Sequence, residues 1–357
     1  MARVTSARTA LLVGALAAAL ALTSCTSGAK SGTAAAGSGD QLAGNASTEQ
    51  LRDHALKSLQ GKTVAFVPVG MGTPLTEEWS RQIKRGFEAL GAKYILRDPN
   101  WDVAKQADAV TSLINQKPDL LIVHNFDVQL LAKLIQKAEE QGTYVIQVNM
   151  VSNYKSDAFV GADTIGLGRK MANDIVSVCG KGTSGKIQIV QGDATSGFTL
   201  GLMQGANEVF KQHPEVKVVS TQAANWDRSK AHDITATVIQ QHPDLCASWG
   251  FWDQMEYGAA TAIKEAGKIG QVKVFTSDHS VVTCEALRDK LFYQSYAYSV
   301  PTQGTDIVAI GKYLLQSGLK PGTARTADYT QLYKIDRSNW NQPNMCYDGK
   351  HDGLTVH

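Results

Sequence analysis

Catalytic signatures are missing from this 357-residue chain. It holds no HExxH and no GxSxG, which leaves metalloprotease and hydrolase-elbow chemistry without support. None of its five cysteines stands in a CxxC, so neither a redox motif nor a zinc site is indicated. The eight histidines are scattered, and no metal cluster or cofactor motif emerges. Charge is sparse at 19%, and no dense Lys/Arg block occurs, which argues against a nucleic-acid partner. The small excess of 35 basic over 33 acidic residues comes from Arg3 and Arg8 at the extreme N-terminus, so no polyanionic partner is implied. Two glycine-rich runs are decoys. Gly180-Lys181-Gly182-Thr183-Ser184-Gly185-Lys186 fits GxxxxGK, but Ile187 stands where Ser or Thr should hold Mg²⁺, and the run enters a strand rather than leaving one. Gly166-Leu167-Gly168 lacks the third glycine of a dinucleotide fingerprint.

What is present begins at the N-terminus. Arg3 and Arg8 precede an apolar run at 11–22, then Thr23-Ser24-Cys25. That is the layout of a secretory signal, assigned to 1–24. The run is short of the about 20 residues that span a membrane. Leu22-Thr23-Ser24-Cys25 resembles the bacterial lipobox, which implies lipidation of Cys25 and anchoring at the outer face of the cell membrane. The segment 25–60 then reads as the lipidated cysteine and a flexible tether, since 26–47 is rich in Ser, Gly and Ala and lacks aromatics. Four cysteines remain in what is then an exported chain, an even number that suggests two disulfides. Three pairings are possible; Cys179–Cys246 with Cys284–Cys346 is preferred.

The stretch 61–91 sets the plan of the rest. It holds a short apolar run, a Gly/Pro/Thr loop, and a segment whose Trp79, Ile83, Phe87 and Leu90 fall on one helical face, with Gly91 as the stop. Strand-like runs recur near 93–97, 119–124, 143–149 and 158–161, with helical segments near 101–116 and 127–141. A second series places strands near 186–191, 215–221, 244–249, 271–277 and 293–298, with five helical segments among them. A final helix near 302–317 and an extended tail at 327–335 follow. Strands alternating with helices of this length predict two α/β lobes with doubly wound parallel sheets. Function should then lie in the loops at the C-terminal ends of the strands.

Six short motifs in order carry a family resemblance over 61–335. They are Glu77-Glu78-Trp79 after the first strand, a strand ending Gln147-Val148-Asn149, Val160-Gly161-Ala162-Asp163, Asn225-Trp226-Asp227-Arg228, Gly250-Phe251-Trp252-Asp253-Gln254-Met255, and Phe275-Thr276-Ser277-Asp278. With the lipobox, they resemble the solute-binding lipoproteins of ABC importers, of the ribose-binding-like type I class. The resemblance implies two lobes joined by three crossings, here 61–160 plus 300–330 and 161–299 plus 331–357. It implies a monomer that captures a sugar or polyol and delivers it to an ABC permease, with no cofactor and no catalysis. A ligand-sensing receptor of the same fold is the alternative; a cytoplasmic repressor is excluded by the lipobox.

Position by position, the resemblance implies Trp79, Glu78, His124, Asn149, Phe198, Trp226, Trp252 and Asp278 as ligand-binding residues, with Asp278 foremost. Glu77, Met150, Asp253, His279 and Tyr298 are secondary candidates. Tyr296 competes with Tyr298, and the loop 70–76 is expected to bring backbone close to the ligand. Two departures matter. Met150 and Leu202 stand at or near positions where pyranose and furanose binders carry Arg, so the guanidinium fork to sugar oxygens is missing. With three tryptophans available, a linear polyol or a less polar sugar is expected over an ordinary aldose.

Overall fold

The computed structural model describes residues 44–351. The signal segment and Cys25 lie outside the described residues. The stretch read as a tether ends earlier than residue 60, because a helix, α1, runs Thr48–Leu59. Its start is a capping box: Ser47 accepts from the Gln50 amide and Gln50 bonds back to the Ser47 amide.

Two sheets follow. The first contains β1 (Thr63–Val67), β2 (Lys93–Leu96), β3 (Leu120–Val123), β4 (Tyr144–Val148), β5 (Ala158–Ala162) and β11 (Thr326–Thr330), in the order β11-β5-β4-β3-β1-β2 and all parallel. Its helices are α2 (Pro74–Glu88), α3 (Val103–Gln116), α4 (Ala132–Glu140) and α10 (Val300–Gln316). The second contains β6 (Lys186–Gln191), β7 (Lys217–Ala223), β8 (Ala247–Gly250), β9 (Lys273–Ser277), β10 (Gln294–Ala297) and β12 (Tyr333–Asp336), in the order β12-β10-β9-β8-β6-β7. Only β12 runs antiparallel there. Helices α5 (Thr164–Cys179), α6 (Gly197–Phe210), α7 (Arg228–Gln241), α8 (Asp253–Glu265) and α9 (Val281–Arg288) flank it.

The apolar runs become central strands because both faces are covered: Val64 to Val67 and Leu120 to Val123 are fully buried. In α2, Thr73 caps the first turn, Pro74 opens it, and Trp79, Ile83 and Phe87 are wholly buried. Gly91 takes the left-handed conformation (φ 80°) just beyond the helix end. One helix starts later than its periodicity suggests. Asp127 accepts from the amides of Gln129 and Leu130, which holds that stretch as a turn and delays α4 to Ala132. Of the two glycine decoys, 180–185 is a turn between α5 and β6, and Gly166 to Gly168 lie inside α5.

Three segments cross between the lobes: after β5, between β10 and α10, and between β11 and β12. They are tied together. Thr330 Oγ1 donates to the Tyr298 carbonyl at 2.6 Å and lies 3.3 Å from that of Gly161, while Gln303 Nε2 reaches the Tyr298 carbonyl and Thr330 Oγ1, each at 3.2 Å. Disulfides join Cys179 to Cys246 and Cys284 to Cys346.

Candidate functional site

Each strand of a parallel sheet hands its chain to a loop at its C-terminal edge, and the two sheets turn those edges toward each other. The first strand of each sheet sits where the strand order reverses, the usual place for a ligand crevice. A cavity of about 30 Å³ lies there, lined by loop residues of both lobes. Val69 follows β1, Trp101 follows β2, His124 follows β3, and Asn149 and Met150 follow β4. From the other lobe come Phe198 beyond β6, Trp226 after β7, Phe251 and Trp252 after β8, and Tyr298 after β10. Thr73, Leu75 and Thr76, at the start of α2, complete it.

The two halves are built alike. Asn100-Trp101-Asp102 and Asn225-Trp226-Asp227 each follow the second strand of their lobe. In both, Asn and Trp have positive φ (52° and 62°; 55° and 63°) and Asp caps the next helix. A glycine makes room for each ring: a Cβ on Gly70 would stand 2.5 Å from the Trp101 indole, and one on Gly192 would overlap that of Trp226. Gly70 therefore admits a tryptophan. The symmetry extends to Asn149 and Asp278, which end β4 and β9 with φ of 54° and 89° and donate their amides to Val160 and Tyr296. Non-glycine residues held in this region concentrate at functional sites.

The rings meet across the cleft. Trp252 lies 6.0 Å from Trp101 and 6.4 Å from Trp226, and Phe198 packs edge-on against Trp226 and Tyr298. No Asp, Glu, Lys or Arg is among the described lining residues. His124 is almost fully buried, neither ring nitrogen has a partner, and burial pushes its pKa down to about 3, so it lines the cavity as neutral imidazole. Trp226 Nε1 is likewise unpartnered. Asn149 Oδ1 faces the crossings, near the Ala162 amide (3.3 Å) and Gln303 Nε2 (3.4 Å). Tyr298 is buried between lobes, and its hydroxyl interacts with both Asp278 and Asn149; burial first, then the Asp278 charge, drives its pKa far up.

Of the expected site residues, His124, Asn149, Phe198, Trp226 and Trp252 line the cavity, with Met150 and Tyr298 from the secondary set. The rest stand behind it. Trp79 is fully buried in the core, its ring edge-on to His124 at 5.0 Å. Glu78 is buried and bound to Arg81 (2.6 Å) and Gln82. Glu77 accepts from the Gly72 amide at 3.1 Å. Asp278 lies one layer out: its oxygens accept from Trp252 Nε1 (3.0 Å), the Tyr347 hydroxyl (2.8 Å) and the His279 amide (2.6 Å). Asp253 accepts from the Ser280 and Thr283 hydroxyls, and burial, reinforced by the Asp278 charge, pushes its pKa up. His279 is buried against Tyr347 (4.8 Å) and Tyr333 (5.6 Å). Tyr296 turns away to Asp174. Sequence reasoning missed Trp101, Val69 and Phe251, while Thr73, Leu75 and Thr76 fall in the loop 70–76 expected near the ligand. For Trp101 a signal existed: the Asn-Trp-Asp tripeptide repeats once per lobe.

The comparisons with known proteins agree with this architecture. A family model described as a periplasmic binding protein domain matches residues 64–320. The D-allose-binding periplasmic protein of Escherichia coli (strain K12) is 29% identical over 209 residues, 56% of this chain and 66% of that protein. The xylitol-binding protein of Mycolicibacterium smegmatis is 28% identical over 192 residues, 51% of this chain and 52% of that protein. These matches thus span between half and two thirds of the relatives' lengths. Two solved structures share the fold, each with a TM-score of 0.72: a solute-binding protein from Mycobacterium smegmatis with bound glycerol (21% identity, 83% of this chain, 99% of that one) and one from Agrobacterium vitis with bound D-fucose (19% identity, 79% and 97%). With two sheets whose loops close on one aromatic cavity, and with the family model covering most of the described residues, the chain belongs to the periplasmic binding protein domain family.

Proposed function

We propose that this protein captures a small, neutral, polyhydroxylated molecule between its lobes, outside the cytoplasmic membrane, and delivers it as a monomer to the permease of an ABC importer. The observation that carries this reading is the lining: tryptophan rings from both lobes around polar atoms without partners, and no ionised side chain. Aromatic faces suit the C–H faces of a sugar or polyol. A neutral imidazole can donate to one hydroxyl and accept from another, while Trp226 Nε1 can only donate. An anionic or cationic ligand would lose its hydration here without a counter-charge, which is costly. The lipobox-like Leu22-Thr23-Ser24-Cys25 supports tethering through lipidated Cys25.

Met150 in place of an arginine favours a linear polyol or a less polar sugar over an ordinary aldose. The relative named for xylitol and the neighbour holding glycerol take polyols and the relative named for D-allose takes an aldose, so all three support a small neutral polyhydroxylated ligand, and the first two the polyol preference. Calorimetric titration of the purified protein with polyols (xylitol, ribitol, glycerol) and aldoses (ribose, galactose, allose) tests both levels. A polyol or deoxy sugar should bind most tightly. Tight binding of ribose or galactose alone removes the polyol preference, and silence across the panel removes the ligand class.

A further inference from the structure

Beyond β12 the chain does not simply end. Residues 337–351 leave the second lobe, are fixed to α9 by the Cys284–Cys346 disulfide, and then cross to the first lobe. Tyr347 is the pivot. It is fully buried, its amide donates to the His279 carbonyl, its carbonyl accepts from the Val281 amide at 2.8 Å, and its hydroxyl donates to Asp278 at 2.8 Å. The other Asp278 oxygen holds Trp252 Nε1, and Trp252 is the ring placed between Trp101 and Trp226. Beyond Tyr347 the strand of contacts changes lobe. Gly349 (φ 74°) lies so close to the start of α2 that a Cβ there would stand 2.6 Å from the Pro74 carbonyl oxygen. The His351 carbonyl accepts from Arg81 Nη2 at 2.6 Å, in the middle of α2. Pro74 adjoins Thr73 and Leu75, which line the cavity.

We propose that this tail is a disulfide-anchored strap that belongs to the ligand site: Tyr347 positions Asp278 and, through it, Trp252, while 349–351 clasp the first lobe and hold the lobes together. A segment covalently tied to α9 and seated on α2 can keep both sets of contacts only while the lobes are near each other. A contact made in one state alone biases the equilibrium toward that state. The strap therefore favours closure before any ligand arrives, and the tyrosine hydroxyl fixes the one tryptophan that touches both others. This inference stands on contacts independent of what the ligand is, although its affinity arm uses the ligand class proposed above.

The test uses the mature chain, a chain ended after Asp348, Gly349→Val, and Tyr347→Phe. Without ligand, small-angle scattering and acrylamide quenching of tryptophan fluorescence report opening. Both strap variants should show a larger radius of gyration and stronger quenching than the parent, with the melting temperature within about 2 °C. Tyr347→Phe should keep the parental radius and raise the Kd for xylitol about tenfold, the scale of one hydrogen bond to a buried carboxyl group. Two strap variants matching the parent in radius and quenching would overturn the clasp. Parental xylitol affinity in Tyr347→Phe would overturn the positioning role. If the parent binds no xylitol, a panel member that does bind replaces it, and if none binds the ligand reading fails on its own; for Tyr347→Phe, unchanged tryptophan emission then overturns the positioning role and an altered spectrum supports it.

Discussion

At the scale of single residues, the cavity is defined by rings that face it and by buried groups that hold those rings. Trp101 is the clearest case of a residue with a site role and no core role: it remains over a third exposed, against complete burial for Trp79. Trp101→Ala should therefore raise the ligand Kd by about tenfold or more, the worth of a lost aromatic face, with little change in melting temperature. A melting loss as large as that of a core tryptophan would contradict the assignment. Asp278→Ala should do both kinds of damage, because it leaves Trp252 Nε1 and the Tyr347 hydroxyl without their partner; calorimetry should show weakened binding, and thermal melts a loss of about 1–3 kcal/mol. Glu256 gives a pH prediction. It is fully buried, holds only Ser248 at 2.5 Å, and burial pushes its pKa up to about 8. The folded state thus binds its proton more tightly than the unfolded chain does. Its contribution to stability is complete below the ordinary carboxylate range and is lost as pH rises through about 8. Melting temperature should fall between pH 5 and pH 9 in the parent and fall less in Glu256→Gln.

At the scale of elements, most of the secondary structure is legible in the sequence, because periodicity and caps act locally. The stripe Trp79, Ile83 and Phe87 reads as a helix from its periodicity and is one in the fold, and the helices expected near 101 and 228 start at the caps Asp102 and Asp227. Two elements escaped. Helix α1 hid in a polar sequence that follows a Gly/Ala/Ser run, although Ser47 and Gln50 form its capping box. The strap at 337–351 has no periodicity to read, and its course depends on a disulfide and on contacts more than 200 residues apart in sequence, such as Arg81 with His351. The disulfides act on the same scale. Cys179–Cys246 ties the end of α5 to the start of β8 across 67 residues. Replacing both cysteines with serine should cost about 2–4 kcal/mol, read as a fall in the denaturation midpoint. Ligand affinity should hardly change, since neither cysteine lines the cavity.

At the scale of the molecule, the lobes are in contact: the Val128 amide donates to the Thr195 carbonyl at 3.2 Å, and Trp101 of one lobe meets Trp252 of the other. The cavity of about 30 Å³ is covered by rings of both lobes, so a five-carbon polyol should enter as those rings part. Uptake should then be coupled to opening at the three crossings, where Gln303 and Thr330 tie Asn149, Gly161 and Tyr298 into one network. A bound ligand should stabilise the native state by about 2.7 kcal/mol at a hundredfold excess over Kd, visible as a raised melting temperature. The two α/β series, most of the helix starts and the set of loops that meet are legible in the chain alone, because each follows from local periodicity and turn chemistry. Which residues face the cavity depends on how the elements pack, which local pattern does not carry. Trp79 and Trp226 read alike along the chain, yet one is sealed in the core behind His124 and the other lines the cleft. The same holds for Asp278, whose place behind Trp252 is set by Tyr347, a residue 69 positions away that no local pattern connects to it.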